Sequence, residues 1–145
     1  MTGPTGVGKS SLAVALAGRL DGEILGADAF QIYAGLPVLT AQATPEQRAA
    51  VPHHLVGFLD LRENFDAARY AKAAREAIAA IQSRGKLPIL VGGTGLYLKA
   101  LTHGLAEMPP ADPELRARIS SMTLEAAIEE LGNIDSEALG EIDLK

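Results

Sequence analysis

The stretch GPTGVGKS, residues 3–10, constrains the fold of this chain more than any other part of the sequence. It fits the pattern G-x-x-x-x-G-K-[ST] at every fixed position, and chance produces such a match in roughly one chain in a hundred of this length. A loop of this kind joins a buried strand to a helix, and its backbone N–H groups surround an anion. The stretch therefore predicts a di- or triphosphate site in an α/β fold.

Two side chains of this loop extend the predicted phosphate site. Lys9 adds a positive charge, and Ser10 offers an oxygen ligand to Mg²⁺ at the positive end of the following helix. The residues predicted to bind diphosphate or nucleotide are Gly3, Pro4, Thr5, Gly6, Val7, Gly8, Lys9 and Ser10. The alternative is a glycine-rich turn that only caps a helix.

Strand and helix patterns alternate after the loop. A helix is predicted over residues 9–20, with Leu12, Leu16 and Leu20 on one face, and a short buried strand over residues 23–27. Residues 34–62 contain three prolines and are predicted to be irregular, without a long helix.

A second helix and strand follow. Asn64 or Asp66 is expected to cap a long helix that ends at Ser83. The continuous apolar run LPILV, residues 87–91, is typical of a strand covered on both faces. The motif GGTG, residues 92–95, follows it and begins a further helix.

This alternation predicts a P-loop NTPase-like parallel sheet with flanking helices. The strand that should precede the loop is predicted to be missing, because only Met1 and Thr2 stand before Gly3 and a strand takes ~5 residues. We assign residues 1–110 to an incomplete phosphate-binding core and residues 111–145 to a truncated helical segment.

The helical segment is also the acidic part of the chain. Residues 1–111 carry 10 Lys plus Arg against 9 Asp plus Glu, whereas residues 112–145 carry 3 against 9. Asp112, Thr123 and Asp135 are the expected helix starts, and Gly132 is the expected end of the middle helix. This acidity argues against a nucleic-acid partner, because affinity for phosphate backbones comes mainly from Lys and Arg.

Several classes of protein are excluded or disfavoured by what the sequence lacks. There are no cysteines, which excludes disulfides and thiolate chemistry. No apolar run approaches the ~20 residues of a membrane helix, and no secretory signal is recognisable, so a cytoplasmic protein without membrane contact is expected. His53 and His54 are adjacent without a third ligand at metal spacing, so no zinc site is predicted.

Asp28 and Thr94 are the candidate catalytic residues. Each follows a predicted strand, at the end where open parallel sheets place ligand chemistry. Asp28 is suited to accept a proton, to ligate Mg²⁺ through water, or to cap a helix or turn, and spacing alone leaves the functional and structural roles open. The strand ending at Val91 is followed by no acid of the kind that holds Mg²⁺ in many ATPases, which argues against a motor or switch NTPase.

Basic side chains lie on and just after the long predicted helix: Lys72, Arg75, Arg84 and Lys86. We interpret them as its solvated face, with a nucleic-acid contact as the alternative.

Six segments together resemble the tRNA dimethylallyltransferase family in their order and spacing. They are GPTGVGKS, ADAFQIY (residues 27–33), LTAQ (residues 39–42), VPHHL (residues 51–55), LPILVGGTGLYLKAL (residues 87–101) and ADPELRARI (residues 111–119). The resemblance implies transfer of the dimethylallyl group of dimethylallyl diphosphate to N6 of the adenosine just 3′ of the anticodon. The tRNAs concerned read codons that begin with U.

The resemblance also assigns roles to single residues. It implies that Asp28 is the general base, that Thr94 contacts diphosphate and tRNA, and that Mg²⁺ binds near Ser10. The residues implied to bind the tRNA anticodon loop are Asp28, Ala29, Phe30, Gln31, Thr94 and Arg116. Full-length members are expected to be cytoplasmic monomers.

The chain departs from the family pattern at two positions and in its extent. Ala29 replaces a frequent Ser and Ala34 a frequent Arg, and members are about twice as long, with a basic helical region downstream. We therefore expect this chain alone to bind ligand without turnover. The alternatives to the transferase function are a small-molecule P-loop kinase and a fragment that, whatever its ancestry, binds ligand without catalysis.

Overall fold

The computed structural model describes residues 1–4, 6–106 and 112–142. The chain divides into two compact units, residues 1–106 and residues 107–145. Thr5 and the predicted domain boundary at residue 110 lie outside the described residues.

The first unit contains three strands and four helices among its described residues. In chain order these are α1 (Lys9–Leu20), β1 (Gly22–Gly26), α2 (Pro45–Ala50), β2 (His53–His54), α3 (Ala67–Ser83), β3 (Leu87–Val91) and α4 (Gly95–Thr102). The strands form one parallel sheet in the order β2-β1-β3. This architecture confirms the predicted α/β class.

The sheet register brings the ends of β1 and β3 together. Leu25 of β1 lies opposite His54 of β2 on one side and Leu90 of β3 on the other. Because the strands are parallel, Asp28 after β1 and the GGTG motif after β3 come to the same edge of the sheet. The two stretches that carry the candidate catalytic residues are thereby neighbours.

The strand β3 lies at the edge of the sheet, and its two faces are covered as predicted: Leu90 packs against the core on the side of α3 and α4, and Ile89 and Val91 pack against the core on the side of α1. Leu87 is exposed and the other residues of β3 are half-buried. On the side of β3 away from β1, among the described residues, Thr2 forms one parallel bridge with Gly92 and the Met1 ammonium donates to Leu90 O (2.6 Å). An apolar run therefore identified the strand but not its position, because the fully buried central strand is β1.

Two apolar cores cover the two faces of the sheet. Leu25 packs with Tyr70 and Tyr97 on the side of α3 and α4, and Ile24 packs with Ala13 and Ala17 of α1 on the other. Successive residues of a strand point to opposite faces, which explains this division.

The buried face of α1 differs from the predicted leucine stripe. Ala13 and Ala17 are its buried residues, whereas Leu12 and Leu20 are more than half exposed. Alanines let the helix lie close to the sheet, and the leucines lie at its margins. The bounds of α1 are those predicted.

The long helix α3 begins and ends as its sequence predicts. The carboxylate of Asp66 accepts a hydrogen bond from Arg69 N (2.8 Å) and caps the helix. The buried hydroxyl of Tyr70 donates to Gly26 O (3.0 Å), and its ring stacks on Tyr97 with centroids 4.1 Å apart. These contacts fix α3 and α4 to β1 just before Asp28.

A buried acid connects the sheet to the end of α3. Glu23 of β1 accepts from Arg84 (2.7 Å) and lies 2.5 Å from His54 Nε2. Arg84 in particular, and also His54, hold the pKa of Glu23 below its usual value, against the opposing effect of burial. Arg84, interpreted from the sequence as part of a solvated face, is therefore partly a structural residue.

The second unit, in the residues that the structure describes, is entirely helical. It contains α5 (Pro113–Ser120), α6 (Leu124–Ile134) and α7 (Ser136–Glu141). Asp112, Thr123 and Asp135 cap them as predicted. The helix α6 continues past Gly132, contrary to prediction, since one interior glycine costs a helix only about 1 kcal/mol. No helix among the described residues of either unit has the length and apolar character to cross a membrane.

Candidate active site

The phosphate loop lies between Thr2 and the start of α1. Gly6 and Gly8 both have φ of 85°, a conformation in which glycine avoids the steric cost of other residues. Gly8 occupies the N-cap position of α1 without a side chain, so the first N–H groups of the helix remain available to a ligand. Lys9 Nζ donates to Gly3 O (2.7 Å) and Pro4 O (2.5 Å) and thereby closes the loop.

Asp28 caps the turn that follows β1. Its Oδ1 accepts from Phe30 N (3.0 Å) and Gln31 N (3.3 Å). The structural role left open by the sequence is therefore present. One oxygen serves the turn, and the carboxylate also faces two cavities, so the structural and functional roles are compatible.

A cavity of about 290 Å³ brings the loop and Asp28 together. Its walls come from the loop, the start of α1, the segment after β1 and the end of β3. The lining residues are Gly6, Gly8, Lys9, Ser10, Ser11, Asp28, Gln31, Ala41, Val91 and Gly92. The cavity thus combines backbone N–H donors, an ammonium, hydroxyls and one carboxylate, which suits a phosphate ligand with an acceptor beside it.

A second cavity of about 370 Å³ also borders Asp28 and is mainly apolar. It shares Asp28, Gln31 and Ala41 with the first cavity. The residues that line only the second cavity of these two are Phe30, Tyr33, Leu36, Leu39 and Thr40. Asp28 therefore borders both the cavity that contains the phosphate loop and an apolar one.

Thr94 links the GGTG motif to the Asp28 segment. It holds the N-cap position of α4, but its hydroxyl accepts from Ala29 N (2.9 Å) instead of capping the helix. Thr94 N donates to Ala27 O (3.2 Å). These two bonds join Thr94 to Ala27 and Ala29, the residues immediately before and after Asp28. Thr94 therefore holds the backbone on both sides of Asp28.

The other predicted site residues fall into two groups. Phe30, 72% exposed, and Val7, 61% exposed, lie at the surface near the cavities. Arg116 belongs to the second unit, where it is exposed on α5. The contact predicted between Arg116 and tRNA stays a prediction.

The stacked phenols of Tyr70 and Tyr97 both have raised pKa values. Burial raises the pKa of Tyr97, and the neighbouring Tyr33, Asp66 and Asp28 raise it further. Burial likewise raises the pKa of Tyr70. Both phenols therefore stay protonated even above their usual pKa and donate hydrogen bonds, Tyr70 to Gly26 O and Tyr97 to Phe65 O.

The turn of residues 36–42 forms part of the site and was not predicted. Ala41 lines both cavities and also a third, wider one of about 750 Å³ beside Gln42 and Arg48. The segment LTAQ carries part of the family resemblance, but nothing in its composition indicated that it would fold back onto Asp28.

Comparison with known proteins gives a consistent result. A family model described as "IPP transferase" matches residues 31–145. A tRNA dimethylallyltransferase of Halorhodospira halophila is 56% identical over 119 residues, covering 82% of this chain and 38% of the relative. One from Akkermansia muciniphila is 43% identical over 143 residues, covering 99% of this chain and 49% of the relative.

Solved structures agree. A tRNA isopentenylpyrophosphate transferase of Bacillus halodurans aligns with a TM-score of 0.71 and 40% identity, over 98% of this chain and 48% of that one. A eukaryotic dimethylallyltransferase acting on tRNA aligns with a TM-score of 0.82 and 29% identity, over 98% and 36%. The chain spans about two fifths to half the length of the curated relatives it matches, and it belongs to the IPP transferase family.

Proposed function

We propose that this chain supplies the diphosphate site and the general base for transfer of a dimethylallyl group from dimethylallyl diphosphate to N6 of an adenosine in tRNA. The adenosine is the one just 3′ of the anticodon in tRNAs that read codons beginning with U. The observation that carries the proposal is the shared cavity in which Lys9 and Ser10 face Asp28. A cytoplasmic location is part of the proposal, because the acceptor is tRNA.

The phosphate loop would stabilise the leaving group. As the bond between the allylic carbon and the diphosphate oxygen breaks, negative charge develops on the diphosphate. The Lys9 ammonium and the N–H groups at the start of α1 lie where they would bind that charge. Donors fixed before the reaction stabilise developing charge at little reorganisation cost.

Asp28 would take the proton. The exocyclic amine of adenine is a poor nucleophile, and removal of its proton as the C–N bond forms lowers the barrier. Only one carboxylate oxygen is committed to the turn, through Phe30 N and Gln31 N, in the part of the chain that the structure describes. The target base must leave the anticodon stack to reach this pocket.

The residues of the cavity fit Mg²⁺ bound together with a diphosphate. Mg²⁺ prefers oxygen ligands and commonly takes one or two from protein and others from substrate phosphates and water. Ser10 Oγ would supply a protein oxygen, and no cluster of three or more acidic or histidine ligands occurs among the described residues. When bound, the ion would neutralise part of the diphosphate charge.

The test is calorimetric binding of dimethylallyl diphosphate to the chain in the presence of Mg²⁺. We expect Lys9→Ala to weaken binding at least about tenfold, which corresponds to about 1.4 kcal/mol. Lys72→Ala is the matched control, because Lys72 is an exposed lysine on α3 and should leave affinity unchanged. Equal affinity in wild type and Lys9→Ala would refute this role of the loop.

ATP is the informative competitor in the same experiment. Preferential binding of ATP over the prenyl donor would favour the small-molecule kinase that the sequence left as an alternative. Displacement of the prenyl donor by inorganic diphosphate, with little effect of ATP, would favour the transferase.

A further inference from the structure

The turn of residues 36–42 holds a backbone conformation that its sequence does not favour. Ala41 has φ of 50°, in the left-handed region that residues with a Cβ seldom adopt. Here it closes a turn of the Schellman type, in which Gln42 N donates to Pro37 O (2.9 Å) and Ala41 N donates to Val38 O (3.2 Å). Ala41 also lines both cavities that border Asp28, and the wider cavity beside Gln42 and Arg48 as well.

Two glutamine side chains join this turn to the segment that carries Asp28. Gln31 Nε2 donates to Ala41 O (3.2 Å), and Gln42 Nε2 donates to Tyr33 O (2.8 Å). The two bonds run in opposite directions between the segments. Together they tie the turn to residues 31–33, which form the opposite wall of the apolar cavity.

Gln42 is itself fixed by residues outside the site. Arg48 Nη2 donates to Gln42 Oε1 (2.8 Å), and Arg48 Nε donates to Ala43 O (3.3 Å). Gly57 provides the space for this arrangement, since a Cβ there would lie 2.9 Å from Gln42 Oε1, and Gly57 N donates to Gln31 O (2.8 Å). A chain of contacts thus leads from Arg48 through Gln42 to the segment of Asp28.

We propose that Gln42 is a positioning residue of the transfer reaction, which sets the shape of the acceptor side of the site by holding the 36–42 turn against residues 29–34. The proposal rests on the proposed function in one respect: it takes the apolar cavity as the place where the tRNA adenosine, the acceptor of the dimethylallyl group, would bind. Gln42 does not line the polar cavity around Lys9, so its loss should spare diphosphate binding. Its loss should impair binding of an RNA whose base must enter beside Asp28.

Three variants separate positioning from a general structural role. Gln42→Leu removes both side-chain hydrogen bonds. Gln42→Glu keeps the acceptor for Arg48 but removes the donor to Tyr33 O. Gln82→Leu is the matched control, the same change at an exposed position near the end of α3.

The first measurement is amide hydrogen exchange. Gly57 N donates to Gln31 O, Phe58 N donates to Ile32 O, and Ala34 N donates to Leu59 O. The protection of these three amides from exchange therefore reports whether the segment of residues 31–34 opens. We expect both Gln42 variants to lose protection about fivefold or more in residues 29–43 and 57–59, with α1 and β1 unchanged. Unchanged exchange in those residues, or equal loss throughout the first unit, would overturn the proposal.

The second measurement compares two affinities of the full chain, for inorganic diphosphate with Mg²⁺ and for an anticodon stem-loop RNA. We expect both Gln42 variants to bind the RNA about tenfold more weakly while diphosphate affinity stays within about twofold. An equal effect on both ligands, or wild-type RNA affinity in Gln42→Glu, would contradict the positioning role. If the wild-type chain binds neither ligand, the proposed function fails, and hydrogen exchange alone decides whether Gln42 holds the segment.

Discussion

Gly92, the first residue after β3, allows the closest backbone approach in the candidate site. A Cβ on Gly92 would lie 2.0 Å from Ala27 O and 2.3 Å from Ala27 C. A Cβ on Gly95, in contrast, would have no atom within 4 Å. Ala27 directly precedes Asp28. The absence of a side chain at one position therefore permits β3 to lie beside the segment of the proposed base.

Gly92→Ala is expected to destabilise the chain by about 2–3 kcal/mol, because backbone atoms must move to admit the methyl group. Urea denaturation measures this, and Gly95→Ala is the control. At the first residue of α4, alanine should be neutral or stabilising by up to about 1 kcal/mol. Equal unfolding midpoints for the two variants would contradict the described packing of Ala27 on Gly92.

Glu23 carries a pH dependence at the other end of β1. Its pKa is lower in the folded chain than its usual value near 4.5, chiefly through Arg84. On acidification the unfolded chain is therefore protonated first, and the stability that Glu23 contributes is complete above about pH 5 and is lost as the pH falls through the lowered folded value.

Glu23→Gln should remove this part of the acid sensitivity. We expect a lower free energy of unfolding at neutral pH, because Arg84 loses its partner, and a flatter dependence between about pH 5 and pH 3. Urea midpoints across this range measure it, with exposed Glu76→Gln as control. A slope for Glu23→Gln as steep as that of wild type would show that other groups cause the acid sensitivity.

At the scale of elements, local sequence signals placed helix ends well and buried faces less well. Asp66, Asp112, Thr123 and Asp135 all cap helices as predicted, since a capping side chain acts within three residues of itself. The leucines of α1 were assigned to the wrong face. Which side of a helix is buried depends on the distance to its neighbour, and no local signal contains that distance.

Asp66→Ala tests the cap of α3. We expect a loss of about 1 kcal/mol in the free energy of unfolding, because Arg69 N at the start of the helix loses its acceptor. The control Glu76→Ala, in the exposed middle of the same helix, should change it by less than about 0.5 kcal/mol. A Glu76→Ala effect as large as that of Asp66→Ala would argue against capping as the cause.

At the scale of the whole molecule, the residues predicted to bind diphosphate all belong to the first of the two compact units. A ligand that binds only the folded state stabilises the structure that holds its site. The chain therefore offers an internal comparison between a unit with the proposed ligand site and one without those residues.

Inorganic diphosphate at about a hundred times its Kd should stabilise the first unit by about 2.7 kcal/mol. Hydrogen exchange should slow in α1 and around Asp28, while α5, α6 and α7 are unaffected. Lys9→Ala should abolish the effect and Lys72→Ala should retain it. Equal slowing in both units would instead indicate a general effect of the anion.

The phosphate loop, the bounds of α1, the start of α3 and the positions of Asp28 and Thr94 after strands were all determined by the sequence itself. These features depend on residues within a few positions of one another: glycines at fixed spacing, a capping acid, an apolar run. The family resemblance rests on the same short segments. For this reason the fold class was predictable, and so were Lys9, Ser10 and Asp28 among the residues of the polar cavity.

Only the tertiary structure decided that β1 is central and β3 lies at the edge, that Glu23 is joined to Arg84, and that Ala41 and Gln42 complete the site. Each of these depends on contacts between residues distant in the chain or on the direction in which an irregular segment folds back. Hydrogen bonds such as Gln42 to Tyr33 leave no periodic or compositional trace. The residues shared by the two cavities, Asp28, Gln31 and Ala41, could therefore be brought together only by the folded structure.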